Sequence, residues 1–164
     1  MNRNVKQMVR AALIGALYAA LTHLQNLLLP GSASMAIQFR ASEALCVLAF
    51  FTPSAIPGLT AGCLLFNLTS AGTLPLDFLV GSLATLGAAV SMRLLRKFPF
   101  LGLWMPALWN AALVGWELSV YIGGGFWLNA LYVAIGEAAV LLTLGSALYY
   151  ALKARNLDRR LFGE

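Results

Sequence analysis

Ten of the eleven basic residues fall in three clusters separated by long apolar stretches, and this spacing constrains the chain more than any other feature. Arg3, Lys6 and Arg10 precede the first apolar run, Arg93, Arg96 and Lys97 stand mid-chain, and Lys153, Arg155, Arg159 and Arg160 lie near the end. Arg40 alone stands apart. Basic clusters beside membrane helices stay on the cytoplasmic side, so the pattern predicts an even number of spans with both termini inside. The expected fold class is all-α: one integral membrane bundle of six transmembrane helices over 1–164, with N and C termini cytoplasmic.

Composition agrees with that class. The chain is 60% hydrophobic and 10% charged with a mean hydropathy of +0.80, against about 25% charged residues in soluble domains. Six spans with short connections use nearly all of the 164 residues, leaving no room for an ATP-binding domain, so energy for any transport is expected from other chains. A net charge of +5 could suggest nucleic acid. Here, however, the basic residues flank apolar segments and form no aromatic-interleaved stripe, so no nucleic-acid partner is expected. Cys46 and Cys63 sit in apolar segments and read as small core residues. The N-terminus resembles a signal peptide, but the apolar run 11–29 is long enough to span about 28 Å as a helix, and it reads as a retained first span.

The predicted helices run over about 8–29, 38–52, from beyond the turn at 53–57 to 67 or 68, 74–92, 101–122 and 127–152. Pro30-Gly31 ends the first and opens an outer loop, Pro53 and Pro57 bracket a tight inner turn, and Gly123-Gly124-Gly125 makes a flexible outer turn. The second and third helices are short for spans, which is tolerated where their ends face protein or a cavity.

Polar residues separate by depth in this layout. His23, Gln25, Asn26, Gln38, Arg40, Glu43, Asn67, Asp77, Glu117 and Asn129 fall in the outer half, with Asn110 and Glu137 nearer the middle. Asn110, Val114, Glu117 and Tyr121 share one helical face flanked by Trp109 and Trp116, and Asn129, Tyr132, Val133 and Glu137 cover a sector of the last helix. Acids kept in lipid are costly and usually serve a solute or a proton. The predicted site is therefore an acidic, aromatic-walled pocket open to the outside, and Glu117 and Glu137 are its strongest members because no basic residue lies near them in sequence.

Plainer readings stand beside this one. Arg40 and Glu43 are spaced to pair with each other on one helix. Asp77 follows Pro75 at a helix start, where an acid meets the helix dipole. Trp104 and Trp127 suit interfacial anchors, and His23 suits a polar core position better than a ligand contact. No zinc, nucleophile-elbow or phosphate-loop motif occurs, so neither an enzyme nor a cofactor or metal site is expected.

The segment Ile37-Gln38-Phe39-Arg40-Ala41-Ser42-Glu43-Ala44-Leu45 resembles the signature of the queuosine-precursor transporter family, QueT. FTPSAIPGL at 51–59, Gly62-Cys63 followed by Asn67, Asp77 with GSLAT at 81–85, Pro106 with Asn110, Gly115 with Glu117, and Gly136-Glu137-Ala138 continue the likeness over about 8–150. The resemblance implies a substrate-binding S component of an energy-coupling factor (ECF) transporter in a prokaryotic plasma membrane. It further implies a transmembrane coupling (T) subunit and two ABC ATPases as partners. The implied substrate is a queuosine precursor, 7-aminomethyl-7-deazaguanine or queuine. A guanine-like edge offers N–H donors that a carboxylate accepts in pairs, an ammonium favours a second acid, and aromatic rings stack on the base. The same chemistry suits a thiamine-like flat cation, and a small proton-coupled secondary carrier also places acids in the membrane, so both alternatives stay open.

The resemblance also implies that the 30–37 loop closes over the ligand and that the whole loaded subunit topples. On the first helix, Ala12, Ala16 and Ala20 repeat every fourth residue, beside a parallel stripe of Ala11, Gly15 and Ala19. Such stripes let membrane helices approach closely, so the first is expected to meet the coupling subunit, unless both pack inside the bundle.

Overall fold

The computed structural model describes residues 2–32, 39–70 and 73–162, apart from the side chain of Arg159. Gln38 and most of the 30–37 loop lie outside the described residues. Among those described, the protein is all-helical: α1 (Arg3–Leu28), a 3₁₀ segment (Ala41–Phe50), α2 (Ala55–Thr69), α3 (Asp77–Leu94), a short α4 (Pro99–Gly102), α5 (Met105–Tyr121), α6 (Phe126–Val140), a π turn (Leu141–Gly145), α7 (Ser146–Ala154) and α8 (Leu157–Phe162). The last elements, α6, the π turn and α7, follow one another without a break as one long rod over Phe126–Ala154. Arg3–Leu28, Asp77–Leu94 and Phe126–Ala154 are long and apolar enough to cross a membrane, with Ala41–Phe50 and Ala55–Thr69 as shorter apolar helices. The chain is an all-α membrane bundle.

Helix boundaries depart from the sequence expectation in three places. The first helix begins at Arg3 and not near residue 8, because Asn2 caps it by accepting from the Asn4 amide at 3.4 Å and nothing in 3–7 breaks a helix. The second segment is 3₁₀, not α. At a rise of about 2.0 Å per residue its ten residues cover about 20 Å, where an α-helix would cover about 15 Å. It need not satisfy lipid, since all its residues except Ala41 are buried. The last helix is interrupted by a π turn just below Glu137.

The 3₁₀ segment is the axis of the bundle. It touches α1, α2, α3, α6, the π turn and α7, while α1 packs on α2, α2 on α3, α3 on α5 and α5 on α6. Val47, Cys46 and Ala49 are fully enclosed in a core shared with Leu59, Cys63, Met92 and Leu141. A second apolar cluster of Val80, Ala84, Val114, Leu118 and Val133 joins α3, α5 and α6. On the basic side, Arg93 donates to the Phe50 carbonyl at 3.0 Å and satisfies the end of the 3₁₀ segment.

Backbone contact draws α1 against α2. A Cβ on Gly62 would stand 2.6 Å from the Gly15 carbonyl oxygen, and one on Gly58 would stand 2.6 Å from that of Ala11. The Ala11, Gly15, Ala19 stripe therefore packs inside the bundle, against the small-residue face of α2. Ala12, Ala16 and Ala20 remain exposed. At the far end of α5, Gly123, Gly124 and Gly125 all adopt φ between 81° and 90°, a conformation that favours glycine and reverses the chain into α6.

Candidate functional site

Three polar residues of α1, Tyr18, Thr22 and Gln25, follow four-and-three spacing and face the start of the 3₁₀ segment. The Tyr18 hydroxyl donates to Glu43, Thr22 and Ser42 hydroxyls bond at 2.7 Å, and the Ala41 amide donates to the Gln25 carbonyl oxygen at 2.7 Å. Gln25 also donates to the Phe39 carbonyl. This row of bonds fixes the height and rotation of Glu43 inside the bundle.

Glu43 is the centre of the first carboxylate group. Beyond Tyr18, it accepts from the Cys46 thiol at 3.1 Å. Glu137 comes down from α6 to within electrostatic reach of Glu43 and Arg40. It is only 2% exposed, and its Oε2 has no hydrogen-bond partner among the described residues. The buried Arg40 guanidinium lies 5.5 Å from the centre of the Phe66 ring and places Nη1 3.7 Å from the Cys63 sulfur.

A second group lies across α2. Asn67 donates to the Asp77 carbonyl at 2.8 Å and toward Cys63 Sγ at 3.5 Å. A Cβ on Gly81 would come within 2.7 Å of that amide nitrogen, so the glycine makes the room Asn67 occupies. One Asp77 oxygen accepts from the Leu74 amide at 2.6 Å. That bond ties Asp77 to the turn ahead of α3 and not to the free amides of the helix end, and the side chain is also buried and neighbours Glu117. Glu117 is fully buried, and beyond a proton that it could share with Asp77 neither of its oxygens finds a donor among the described residues.

Cys63 connects the two groups, facing Arg40 on one side and Asn67 on the other. Buried polar residues thus string from Glu137 on α6 by way of Glu43, Arg40, Cys63 and Asn67 to Asp77 and Glu117. They carry four carboxyl groups and one guanidinium. Carboxylates facing one another away from water repel when both are ionised, and a cation or a shared proton between them removes that repulsion. With acceptor oxygens left open at Glu117 and Glu137, the chain is suited to a ligand that brings N–H donors and positive charge.

Other predicted site residues take different places. Asn110 is buried, but its amide turns back to the Pro106 carbonyl at 3.0 Å. Asn129 donates to Gly123 and Gly125 carbonyls at 2.7 and 3.2 Å and ties down the glycine turn. Tyr132 is half-buried. Trp109 and Trp116 are 39% and 49% exposed. Trp109 bonds Ser91 at 3.0 Å and lies over Gly87, so its indole packs along the surface of α3 and not into the polar interior. His23 is exposed, bonded to Thr69 at 2.9 Å, and sits edge-on to Phe66. Tyr18, Thr22 and Ser42 join the site without having been expected to line it, and Cys46 and Cys63, expected as core residues, join it too; the four-residue spacing of Tyr18 and Thr22 inside an apolar helix is the signal the sequence offers.

The chain matches a family model described as QueT transporter over residues 8–154. No curated protein and no solved structure gives a match.

Proposed function

Because the chain belongs to the QueT transporter family, we propose that it is the substrate-binding S component of an ECF-type transporter, with a 7-deazaguanine queuosine precursor as its ligand. The observation that carries this reading is the buried acid excess, above all the open carboxylate oxygens of Glu117 and Glu137. In 7-aminomethyl-7-deazaguanine the guanine-like edge would donate to one carboxylate group and the ammonium would meet the other. Glu43, Arg40, Asn67 and Asp77 would complete the contacts, with Asn110, Asn129 and Tyr132 at the periphery. The exposed indoles of Trp109 and Trp116 fit the lipid face better than the base.

A coupling subunit and two ABC ATPases would supply the energy. Exposed Ala12, Ala16 and Ala20 offer a smooth face on α1 for a partner helix, beside a groove of about 400 Å³ between α1 and α2. The purified chain in liposomes should bind 7-aminomethyl-7-deazaguanine yet import none until coupling subunit, ATPases and ATP are present. Import by the chain alone would identify a secondary carrier. Retention of a thiamine-like cation in place of the deazaguanine would keep the S component and replace its substrate.

A further inference from the structure

Among the described residues, α1 and the last rod leave a seam between them. On the side of the basic clusters this seam widens into a groove of about 360 Å³, walled by Leu13, Leu17, Leu148 and Leu152 and floored by Leu45 and Leu48 of the 3₁₀ segment. Arg10 is the one polar residue among its described lining. It stands at the lower mouth, with its guanidinium carbon 5.9 Å from the centre of the Phe162 ring of α8.

The charge order along α1 indicates what fills it. Arg3, Lys6 and Arg10 recur at three- and four-residue spacing and continue on the same face as Leu13 and Leu17. A band of cations thus passes directly into an apolar trough, with no polar residue between to receive a protein side chain. Over the seven residues from Arg10 to Leu17 the helix rises about 10 Å, within the roughly 15 Å depth of one leaflet. The cytoplasmic leaflet is the anionic one, and basic pockets between membrane helices on that side hold anionic headgroups.

We propose that this groove holds an acyl chain of an anionic phospholipid from the basic-side leaflet, with Arg10 taking its phosphate. The lipid would lie over Leu45 and Leu48 at the floor of the groove and fill the seam between α1 and the last rod.

The test is native mass spectrometry on the full chain, extracted in detergent and offered phosphatidylglycerol and phosphatidylcholine with identical acyl chains. The wild type should retain phosphatidylglycerol about fivefold better, the preference expected of one well-placed cation. Arg10→Gln should abolish the preference, Arg10→Lys should keep it, and Arg96→Gln, in a different basic cluster, should leave it unchanged. Leu17→Trp, which fills the trough at an exposed position, should lower retention of both lipids. Equal retention of both lipids by the wild type, an equal loss from Arg96→Gln, or no effect of Leu17→Trp would overturn the proposal. So would disulfide-linked dimers of Leu17→Cys in the membrane, which would make a second copy the occupant.

Discussion

The Tyr18 hydroxyl of α1 donates to the Glu43 carboxylate of the 3₁₀ segment, joining a fully buried phenol to a fully buried acid across two elements that both touch the bundle centre. The bond sets the position of Glu43, whose other oxygen is held by Cys46. Tyr18→Phe should therefore cost about 1.5 to 3 kcal/mol of stability, the range for a hydrogen bond to a charged group. Thermal unfolding in detergent would read it, and Thr22→Val should weaken the neighbouring contact with Ser42 by a smaller amount, about 1 kcal/mol.

Close approach of α1 and α2 makes a sharper steric prediction. Gly62→Ala places a methyl against the Gly15 carbonyl, where the obstacle is backbone and cannot swing aside. A loss of about 1 to 3 kcal/mol is expected, whereas Ala61→Val, one residue away at an exposed position, should be nearly neutral. Equal melting temperatures for the two variants would contradict the packing.

The basic clusters predict sidedness. In a background lacking Cys46 and Cys63, a cysteine replacing Trp127, beside the glycine turn, should react with an impermeant thiol reagent applied to whole cells. One replacing Lys97 should not. The reverse pattern would invert the bundle in the membrane.

Much of this arrangement was legible in the sequence, and the exceptions have physical causes. Helical class followed from apolar runs and charge spacing, and Glu117, Glu137, Asp77, Glu43, Arg40 and Asn67 stood out as polar residues stranded among apolar ones. The 3₁₀ conformation of 41–50 was not legible, because it depends on burial by surrounding helices and not on local preference. Cys46 and Cys63 looked like core residues, and both are buried and free, but their sulfurs also join the polar chain. Trp109 and Trp116 flank the acid-bearing face at one-residue offsets, and that offset turns a side chain by about 100° on a helix, enough to leave both half exposed, with Trp109 lying along α3. The two small stripes of α1 have the same spacing, and the packing of α2 on Ala11 and Gly15 is what leaves Ala12, Ala16 and Ala20 exposed.

The exposed stripe separates binding from transport. Ala16→Trp adds bulk to a surface that lies outside the bundle, away from the polar chain. Ligand affinity of the isolated chain should stay within about twofold, inside the ±0.5 kcal/mol usual for surface changes, while ATP-dependent uptake by the assembled transporter falls sharply. Normal uptake with normal affinity would place the coupling surface elsewhere.

Calorimetry on Glu117→Gln and Glu137→Gln with 7-aminomethyl-7-deazaguanine tests the central claim most directly. Each change keeps size but removes the charge and adds donors where only acceptors suit the ligand. Each should weaken binding by about 2 to 3 kcal/mol, or roughly 30- to 150-fold in Kd, with the variants still folded. Unchanged affinity at both positions would contradict an acidic recognition site built on these two carboxylates.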